Sequence, residues 1–392
     1  MDAGRRRVRG IAIVAVGIGI AATSLVAVPV AAGATGHTSA SSPSQQAMKN
    51  ASLAVARAFK GTNHNVDPTP RKAVAGKHVV IVSAGQASIS AQIGVNAAVD
   101  AAHAIGWRVE VYDAKLNPAN YAPLVRQAIA AHVDGIFLAA IDCQAIQAPL
   151  AEAKAANIAV IGLGSFDCND PHGGGAKQGL FSAAINFGPG VKSAGAFSAA
   201  YGADQANYII KKSNNQARII ALQDPEFTTL YYTYQGFKRT IDRSHGSKIV
   251  STLQITLADF TGNTVVPKIQ SELLRHPEAT WIKSPFTYAT TLGIVPALGT
   301  NERHIDVMGG EGFEPELDLV RDGKITAVNI YLSPWVAWAG VDTMNSVFRH
   351  EAPRPSGVGW VLADQTHNVP PSGEYQPSID YRAQYKKVWG VG

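Results

Sequence analysis

The chain has 392 residues, of which 46% are hydrophobic and only 16% are charged. This length and composition allow a large buried core divided over two domains, and they exclude an intrinsically disordered polypeptide. The formal net charge of +5 comes largely from Arg5, Arg6, Arg7 and Arg9; without these and Asp2, 30 basic residues face 28 acidic ones. The charge therefore gives no reason to expect a nucleic-acid partner.

The first 34 residues have the pattern of an export signal. A cationic RRRVRG segment precedes an apolar stretch from Ile11 to Val30 and the small-residue sequence VAAGA. An uncleaved membrane anchor is the alternative, because about 20 apolar residues span a bilayer. We expect a protein exported to the periplasm, the cell envelope or the exterior, and anchored only if the signal is not cleaved.

Residues 35–76 are predicted to form a linker with one short helix. Residues 33–47 are rich in Ser, Thr, Gly and Ala without periodicity, as in mobile linkers. An amphipathic helix is predicted over Met48–Gly61, and the organised domain is expected to start near Lys77.

Apolar runs alternate with helix-like stretches from Lys77 onward. The first set of predicted strands is HVVIVSA, RVEVYDA, VDGIFLAAI, IAVIGLG and GLFSAAI, and the second is ARIIALQD, KIVSTLQI, ATWIKSPF and IDVMGGEG, followed by ITAVNIYL and a strand near GWVLAD. Continuous apolar strands that are each followed by a helix favour parallel sheets covered on both faces. The sequence therefore predicts an α/β protein with two similar doubly wound lobes, and the glycine and proline break after Asn186 marks their boundary.

Three polar residues are expected at the switch point of the first lobe. In a sheet of order 2-1-3-4-5, ligands bind beyond the carboxyl ends of strands 1 and 3. Gln86 and Ser88 follow strand 1, and Asp142 follows strand 3. Asp142 is predicted either to contact a ligand or to cap the helix that begins near Gln144.

The two cysteines, Cys143 and Cys168, follow neighbouring predicted strands. Export would supply an oxidising compartment, which favours a disulfide between them. Free thiols are the next alternative. A metal site is the last, because two cysteines without a matched histidine pair fall short of four zinc ligands.

The second lobe is rich in aromatic residues at strand ends and in the loops that follow. Flat side chains at a cleft stack on sugar faces, rings or alkyl skeletons. The predicted ligand-binding aromatics are Phe166, Phe227, Tyr232, Phe286, Tyr288 and Tyr331. Glu311 lies at a strand end without a partner acid at a readable spacing, and no known catalytic motif appears, so no enzyme is predicted.

The segments KHVVIVSAGQAS, YDAKLNPANYAPLVRQAIAAHVDGIFLAAID and GGEGFEPELDLVRDGKITAVNIYLSPWVAWAG resemble the type I periplasmic solute-binding proteins, the ribose- and galactose-binding class of ABC importers. The resemblance extends from about Lys77 to Trp389. It implies two lobes joined by three hinge crossovers, placed here near Asn186, Tyr331 and Asp364. The implied lobes are residues 77–186 plus 332–364 and residues 187–331 plus 365–392.

The resemblance also implies a function. The chain is expected to capture a small organic ligand between its lobes, as a monomer without a cofactor, and to deliver it to an ABC permease; an extracytoplasmic sensing module for a signalling receptor is the alternative. Asp142 and Glu311 match acidic positions of the sugar binders. Aromatic or small residues replace an arginine and an Asn-Asp pair that those proteins offer, so the ligand is predicted to be sugar-like or more apolar, and not ribose.

Overall fold

The computed structural model describes residues 42–299 and 303–392. The predicted export signal over residues 1–34 lies outside these ranges. The strands are β1 His78–Ser83, β2 Arg108–Asp113, β3 Gly135–Ala139, β4 Ala159–Leu163, β5 Arg218–Gln223, β6 Lys248–Gln254, β7 Trp281–Lys283, β8 Asp306–Met308, β9 Ala327–Tyr331 and β10 Trp360–Asp364. The helices are α1 Pro43–Lys60, α2 Ile89–Ala104, α3 Tyr121–Ala130, α4 Gln147–Ala155, α5 Ala194–Lys212, α6 Thr228–Asp242, α7 Leu257–Thr261, α8 Val265–Arg275, α9 Thr287–Ala289, α10 Val295–Leu298, α11 Glu314–Arg321, α12 Ser333–Phe348 and α13 Tyr381–Trp389. A π-helical turn, Thr290–Ile294, joins α9 to α10.

The first lobe is built on a parallel sheet of order β2-β1-β3-β4. Alternate residues of β1 enter two cores: Ile81 packs with residues of α2 and α12, and Val80 packs with residues of α3 and α4. Both faces of the central strands are covered, which explains their continuous apolar sequence. The predicted doubly wound α/β lobe is confirmed.

The fifth strand predicted for this lobe, GLFSAAI, does not form. Only Ala183 makes a bridge, with Ile161 of β4. The backbone N–H of Ser182 donates to the carbonyl of Val160 at 2.8 Å, but the N–H of Val160 donates to the side-chain hydroxyl of Ser182 at 3.0 Å instead of to a backbone carbonyl. The side chain thus takes the place of a ladder bond, and the segment remains a loop at the edge of the sheet.

The second lobe contains a six-stranded sheet of order β10-β9-β8-β7-β5-β6. All neighbours are parallel except β10, which runs antiparallel to β9 with Leu362 opposite Asn329. The assignment of residues 332–364 to the first lobe is therefore wrong for β10. An apolar run indicates a buried strand but specifies neither its sheet nor its direction, so pattern alone could not place it.

The chain passes between the lobes more often than predicted. The chain crosses near Asn186 and near Tyr331, and it crosses again before β10, where Pro355 pairs with Asn186, and not near Asp364 as predicted. After β10 the chain returns to the first lobe: Trp389 of α13 stacks on Trp338 of α12, and α12 packs on α2 and β4. The assignment of residues 365–392 to the second lobe is therefore wrong for α13.

The predicted linker is largely ordered within the described residues. Helix α1 is longer than predicted and packs on α5 and β10 of the second lobe, where Arg57 forms an ion pair with Asp204 at 2.9 Å. The chain then crosses back to the first lobe, where the N–H of Ala73 donates to the carbonyl of Trp389 at 3.0 Å. In the described part of the chain, every helix is too short or too polar to span a membrane.

Candidate functional site

A cavity of about 170 Å³ lies between the two lobes. Six of the ten residues predicted to bind a ligand line it, namely Ser88, Phe227, Phe286, Tyr288, Glu311 and Tyr331. Its first-lobe wall comes from the ends of β1, β3 and β4 and the start of α2, and its second-lobe wall comes from α5, α6 and the loops after β7 and β8. The cavity therefore occupies the carboxyl ends of the strands, as expected for open α/β sheets.

Most of the cavity wall is apolar. Phe227 and Phe286 each occupy the residue just before a helix, so the strand-to-helix turn directs an aromatic ring toward the space between the lobes. Leu163 and Val336 complete this surface from the first-lobe side. Among the lining residues that the structure describes, Glu311 is the only one with a charged side chain.

Glu311 is held by contacts from both lobes. Its Oε2 accepts a hydrogen bond from the hydroxyl of Ser90, at the start of α2, and one from the N–H of Thr287 at 3.1 Å. Burial raises the pKa of Glu311 to about 7, while the positive charge of Lys283 opposes that rise. A carboxylate in this position can accept hydrogen bonds from a hydroxyl or amine of a small ligand, or donate one when it is protonated.

Glu316 organises the loop that carries Glu311. This fully buried carboxylate accepts five hydrogen bonds. The donors are the backbone N–H groups of Gly310, Glu311 and Gly312 and the hydroxyls of Thr287 and Thr290. Gly310 permits the close approach of this loop, because a Cβ there would lie 2.3 Å from the Cα of Phe286. Glu316 thus fixes both Glu311 and the Phe286 turn.

Tight packing of α5 against α6 forms the second-lobe wall. A Cβ on Gly202 would lie 1.9 Å from the carbonyl oxygen of Thr233, and one on Gly236 would lie 1.8 Å from that of Ala199. Only glycine permits this approach. The approach brings the hydroxyls of Ser198 on α5 and Thr229 on α6 to 3.2 Å of each other at the cavity wall.

Asp142 joins the two lobes and does not line the cavity. One carboxylate oxygen accepts from the N–H of Phe166 at 2.8 Å, and the other accepts from the N–H of Thr228, in the second lobe, at 3.0 Å. The side chain makes no capping hydrogen bond to the short 3₁₀ helix that follows it, Cys143–Ile146, so the capping prediction is wrong. Burial raises the pKa of Asp142, and its hydrogen bonds oppose that rise.

The other three predicted residues also lie outside the cavity wall. Gln86 folds back on its own strand, where its Nε2 donates to the Ser83 hydroxyl at 2.6 Å. Phe166 packs against Tyr232 with ring centroids 5.4 Å apart, and the Tyr232 hydroxyl donates to Asp170 at 2.8 Å. These contacts join the lobes beside the cavity, and a stack of His172 on Tyr231 adds to them.

Sequence reasoning missed several lining residues. Those with polar or aromatic side chains are Ser90, Phe197, Tyr201, Ser198, Thr229, Thr233 and Ser333. Most of them lie in the first turns of helices that begin at the interlobe space, where helical periodicity indicated only a packed face. The glycine and proline break at residues 186–190 indicated that a helix follows at the lobe boundary. It is the one pattern that could have placed Phe197, in the first turn of α5, near the interlobe space.

The disulfide prediction is confirmed. Cys143 and Cys168 are bonded, with their Cα atoms 5.0 Å apart. Asp167 lies close to both sulfurs, but thiols engaged in a disulfide cannot act as thiolate metal ligands, so the free-thiol and metal alternatives are wrong. The disulfide holds in place the first-lobe segment that carries Asp170 and His172. These two residues contact Tyr232 and Tyr231 of the second lobe beside the cavity.

Comparison with known proteins identifies relatives of this fold. A family model described as "Periplasmic binding protein domain" matches residues 79–352. An ABC transporter solute-binding protein from Agrobacterium vitis with bound alpha-D-tagatopyranose superposes with a TM-score of 0.65 at 17% identity, over 77% of this chain and all of that one. A second A. vitis protein, with bound allitol, gives 0.62 at 18% identity over 74% and 96%. A Mycobacterium smegmatis protein with bound glycerol gives 0.60 at 18% identity over 77% and 100%. No curated protein matches the chain.

Proposed function

Because this chain belongs to the periplasmic binding protein family, we propose that it is an exported solute-binding protein that captures a small organic ligand between its lobes for an ABC importer. The observation that carries the proposal is the interlobe cavity, which is lined by aromatic rings and by the carboxylate of Glu311. The solved relatives bound a ketose, a hexitol and glycerol. The ligand of this chain is sugar-like or more apolar. Glu311 is the only charged side chain among the described residues that line the cavity, so few ligand hydroxyls can pair with a charged group.

A thermal-shift screen of the purified protein against sugars, polyols, aromatic alcohols and aromatic acids tests this proposal. A ligand that binds only the folded state stabilises it by RT ln(1 + [L]/Kd), so the melting temperature rises with ligand concentration once this exceeds Kd. We expect at least one class to give a shift that grows with ligand concentration, and ribose to give none. A panel without any shift would contradict the proposal, and tight ribose binding would contradict the ligand preference.

The protein is proposed to bind its ligand without turnover, as a monomer that docks on a permease. General acid–base hydrolysis of a glycoside requires two carboxyl groups at the reacting bond. Among the described residues that line this cavity, Glu311 alone carries a carboxyl group. Recovery of unchanged ligand after prolonged incubation, together with ligand-stimulated ATPase activity of a reconstituted importer, supports this role; ligand-dependent binding to a receptor alone would indicate a sensing module instead.

Ligand affinity is expected to rise about tenfold between pH 6 and pH 8. Burial raises the pKa of Glu311 to about 7. A ligand hydroxyl that donates to the carboxylate favours its ionised form, so binding lowers this pKa and is stronger once the acid is ionised. Glu316, Lys283, Tyr201 and Tyr331 also surround this group. Titration calorimetry at several pH values measures the change.

Glu311→Gln is the matched control for this pH dependence. The amide does not titrate, so its affinity should be constant over the same range and weaker at pH 8 by about tenfold or more, the usual loss for a hydrogen bond to a charged acceptor. Its melting temperature should not fall, since a neutral side chain avoids the cost of a buried charge. Equal pH profiles for the two proteins would assign the titration to another group, of which Lys283 is the nearest candidate.

Asp142→Asn is expected to weaken ligand binding by about tenfold through a faster dissociation rate. An asparagine can accept one of the two backbone N–H bonds but not both, so the bond to Phe166 or the bond to Thr228 is lost, at a cost of about 1.5 kcal/mol. Since the Thr228 bond exists only when the lobes are together, its loss favours opening. Stopped-flow dissociation of bound ligand measures the rate.

Asp113→Asn provides the control for Asp142→Asn. The Asp113 carboxylate accepts from two backbone N–H groups, of Gln86 and Lys115, that both lie in the first lobe. Both N–H groups donate to Oδ1, which asparagine keeps, so the replacement removes a first-lobe carboxylate charge without touching the lobe contact, and the dissociation rate should not change. If Asp142→Asn lowers the melting temperature and leaves dissociation unchanged, Asp142 stabilises only the first lobe.

A further inference from the structure

A second and larger space lies beside the interlobe cavity. A cleft of about 620 Å³ opens beside the cavity, toward the loop that follows β4 and the start of α5. The two spaces share six lining residues, namely Gly164, Phe197, Ser198, Thr229, Tyr331 and Val336. The two spaces are therefore neighbours divided by the side chains that they share, and a molecule that passes between these side chains would occupy both.

The two spaces differ in chemistry. The inner cavity is apolar except for Glu311 and a few hydroxyls, whereas the outer cleft adds Asp167, Asn169, Asp170 and Lys192 to apolar residues such as Phe181, Ile185 and Phe187. One oxygen of Asp170 accepts from the N–H groups of His172 and Gly173 and from the Tyr232 hydroxyl, and the structure shows no hydrogen bond to the other. Lys192 is exposed, with no ion-pair partner among the described residues. Unpaired groups of this kind suit a hydroxylated ligand.

The inner cavity has room for one ring. A dry cavity of about 150 Å³ accommodates benzene, and the inner space here measures about 170 Å³. A free hexose in this space would place most of its hydroxyls against Phe227, Phe286 and Leu163, where they find few partners. A hydroxylated aromatic ring would place its faces on the apolar wall and a single hydroxyl on Glu311.

We propose that the ligand is a two-part molecule of the aryl glycoside class, with a hydroxylated aromatic ring in the inner cavity and a sugar in the outer cleft. This inference rests on the proposed solute-binding function and names the substrate class of the same site. The sugar hydroxyls meet Asp170, Asn169 and Lys192, while the glycosidic oxygen passes the shared wall at Ser198 and Thr229.

Titration calorimetry with three probes tests the inference on the full protein. The probes are 4-hydroxyphenyl β-D-glucopyranoside, hydroquinone as the ring alone and methyl β-D-glucopyranoside as the sugar alone. We expect the complete glycoside to bind at least about tenfold more tightly than either part, because a linked ligand uses both sets of contacts for one loss of translational freedom.

Ala184→Trp separates the two spaces. Ala184 is exposed and lines the outer cleft but not the inner cavity. The bulky ring should lower glycoside affinity to that of hydroquinone and leave hydroquinone binding unchanged. Ala131→Trp, at an exposed alanine that lines neither space, is the matched control and should change nothing.

The outcomes separate this inference from the proposed function. If methyl glucoside or a free sugar from the screen binds as tightly as the complete glycoside, or if Ala184→Trp affects all probes equally, the two-part ligand is wrong and solute binding stands. If neither the probes nor any member of the screen binds, both are wrong.

Discussion

Replacing Glu316 by glutamine is expected to lower the free energy of unfolding by about 3 kcal/mol and to weaken ligand binding as well. The carboxylate accepts hydrogen bonds from three backbone N–H groups and two threonine hydroxyls. Hydroxyls can rotate to accept from an amide, but backbone N–H groups cannot, and an unpaired buried donor costs about 1–3 kcal/mol. Chemical denaturation measures the stability, and calorimetry on the folded protein measures the affinity.

Glu314→Gln is the matched control for this change. Glu314 lies in the first turn of the same helix, α11, but is exposed, so its replacement should alter neither quantity measurably. The double variant Glu316→Gln/Glu311→Gln separates the effect of Glu316 on the position of Glu311 from its effect on the stability of the protein. If Glu316 acts through Glu311, Glu316→Gln should cause little further loss of ligand affinity in a protein that already carries Glu311→Gln. Fully additive losses of affinity would contradict the positioning role.

Loss of the Cys143–Cys168 bond is expected to destabilise the protein by roughly 3 kcal/mol. The bond joins residues 25 positions apart, and a loop of this length restricts the unfolded chain to that extent in the chain-entropy account. For a protein of this size the melting temperature should fall by about 4 °C. Ligand dissociation should also become faster, because the bond fastens the segment whose Asp170 and His172 contact the second lobe.

A Cys143→Ala/Cys168→Ala variant and chemical reduction of the native protein test this effect by separate routes. Both cysteines are buried, so alanine adds a small packing loss that reduction does not. The reductant should shift the native protein toward the double variant and leave the double variant unchanged. If the ligand dissociation rate does not change after reduction, the disulfide stabilises the first lobe and has no effect on the contact between the lobes.

The strands of both central sheets were predictable from sequence. Runs such as Val79–Val82 are apolar at every position because helices cover both faces, and this pattern has few alternatives once helical segments flank it. The cysteine pair was predictable for the same reason: parallel neighbours end at one sheet edge, so residues just beyond them lie close together.

Elements at the sheet edges were less predictable. The run at Gly179–Ile185 has the composition of a strand, yet it makes only an isolated bridge to β4, and the N–H of Val160 donates to the Ser182 hydroxyl instead of to a backbone carbonyl. Strand β10 has a strand sequence as well, but its sheet and its antiparallel direction depend on the route of the chain after α12. In both cases, distant parts of the chain determine which groups pair with the backbone of the segment. The local sequence pattern does not indicate these partners.

The candidate site shows the same limit. Phe227, Phe286 and Glu311 follow strands and could be assigned to the cavity from topology alone. Asp142 has an equivalent position, but its carboxylate is turned to Phe166 and Thr228. Glu316 is a helix residue by its spacing, and its role depends on three N–H groups that converge only in the folded loop.

A crystal structure of the protein with the ligand that gives the largest thermal shift tests the central claim most directly. The account predicts the ligand between the lobes, against Phe227 and Phe286, with a polar ligand atom about 2.7–3.2 Å from the Glu311 carboxylate. A ligand bound outside the interlobe space, or one inside it that leaves Glu311 without a contact, would contradict the account.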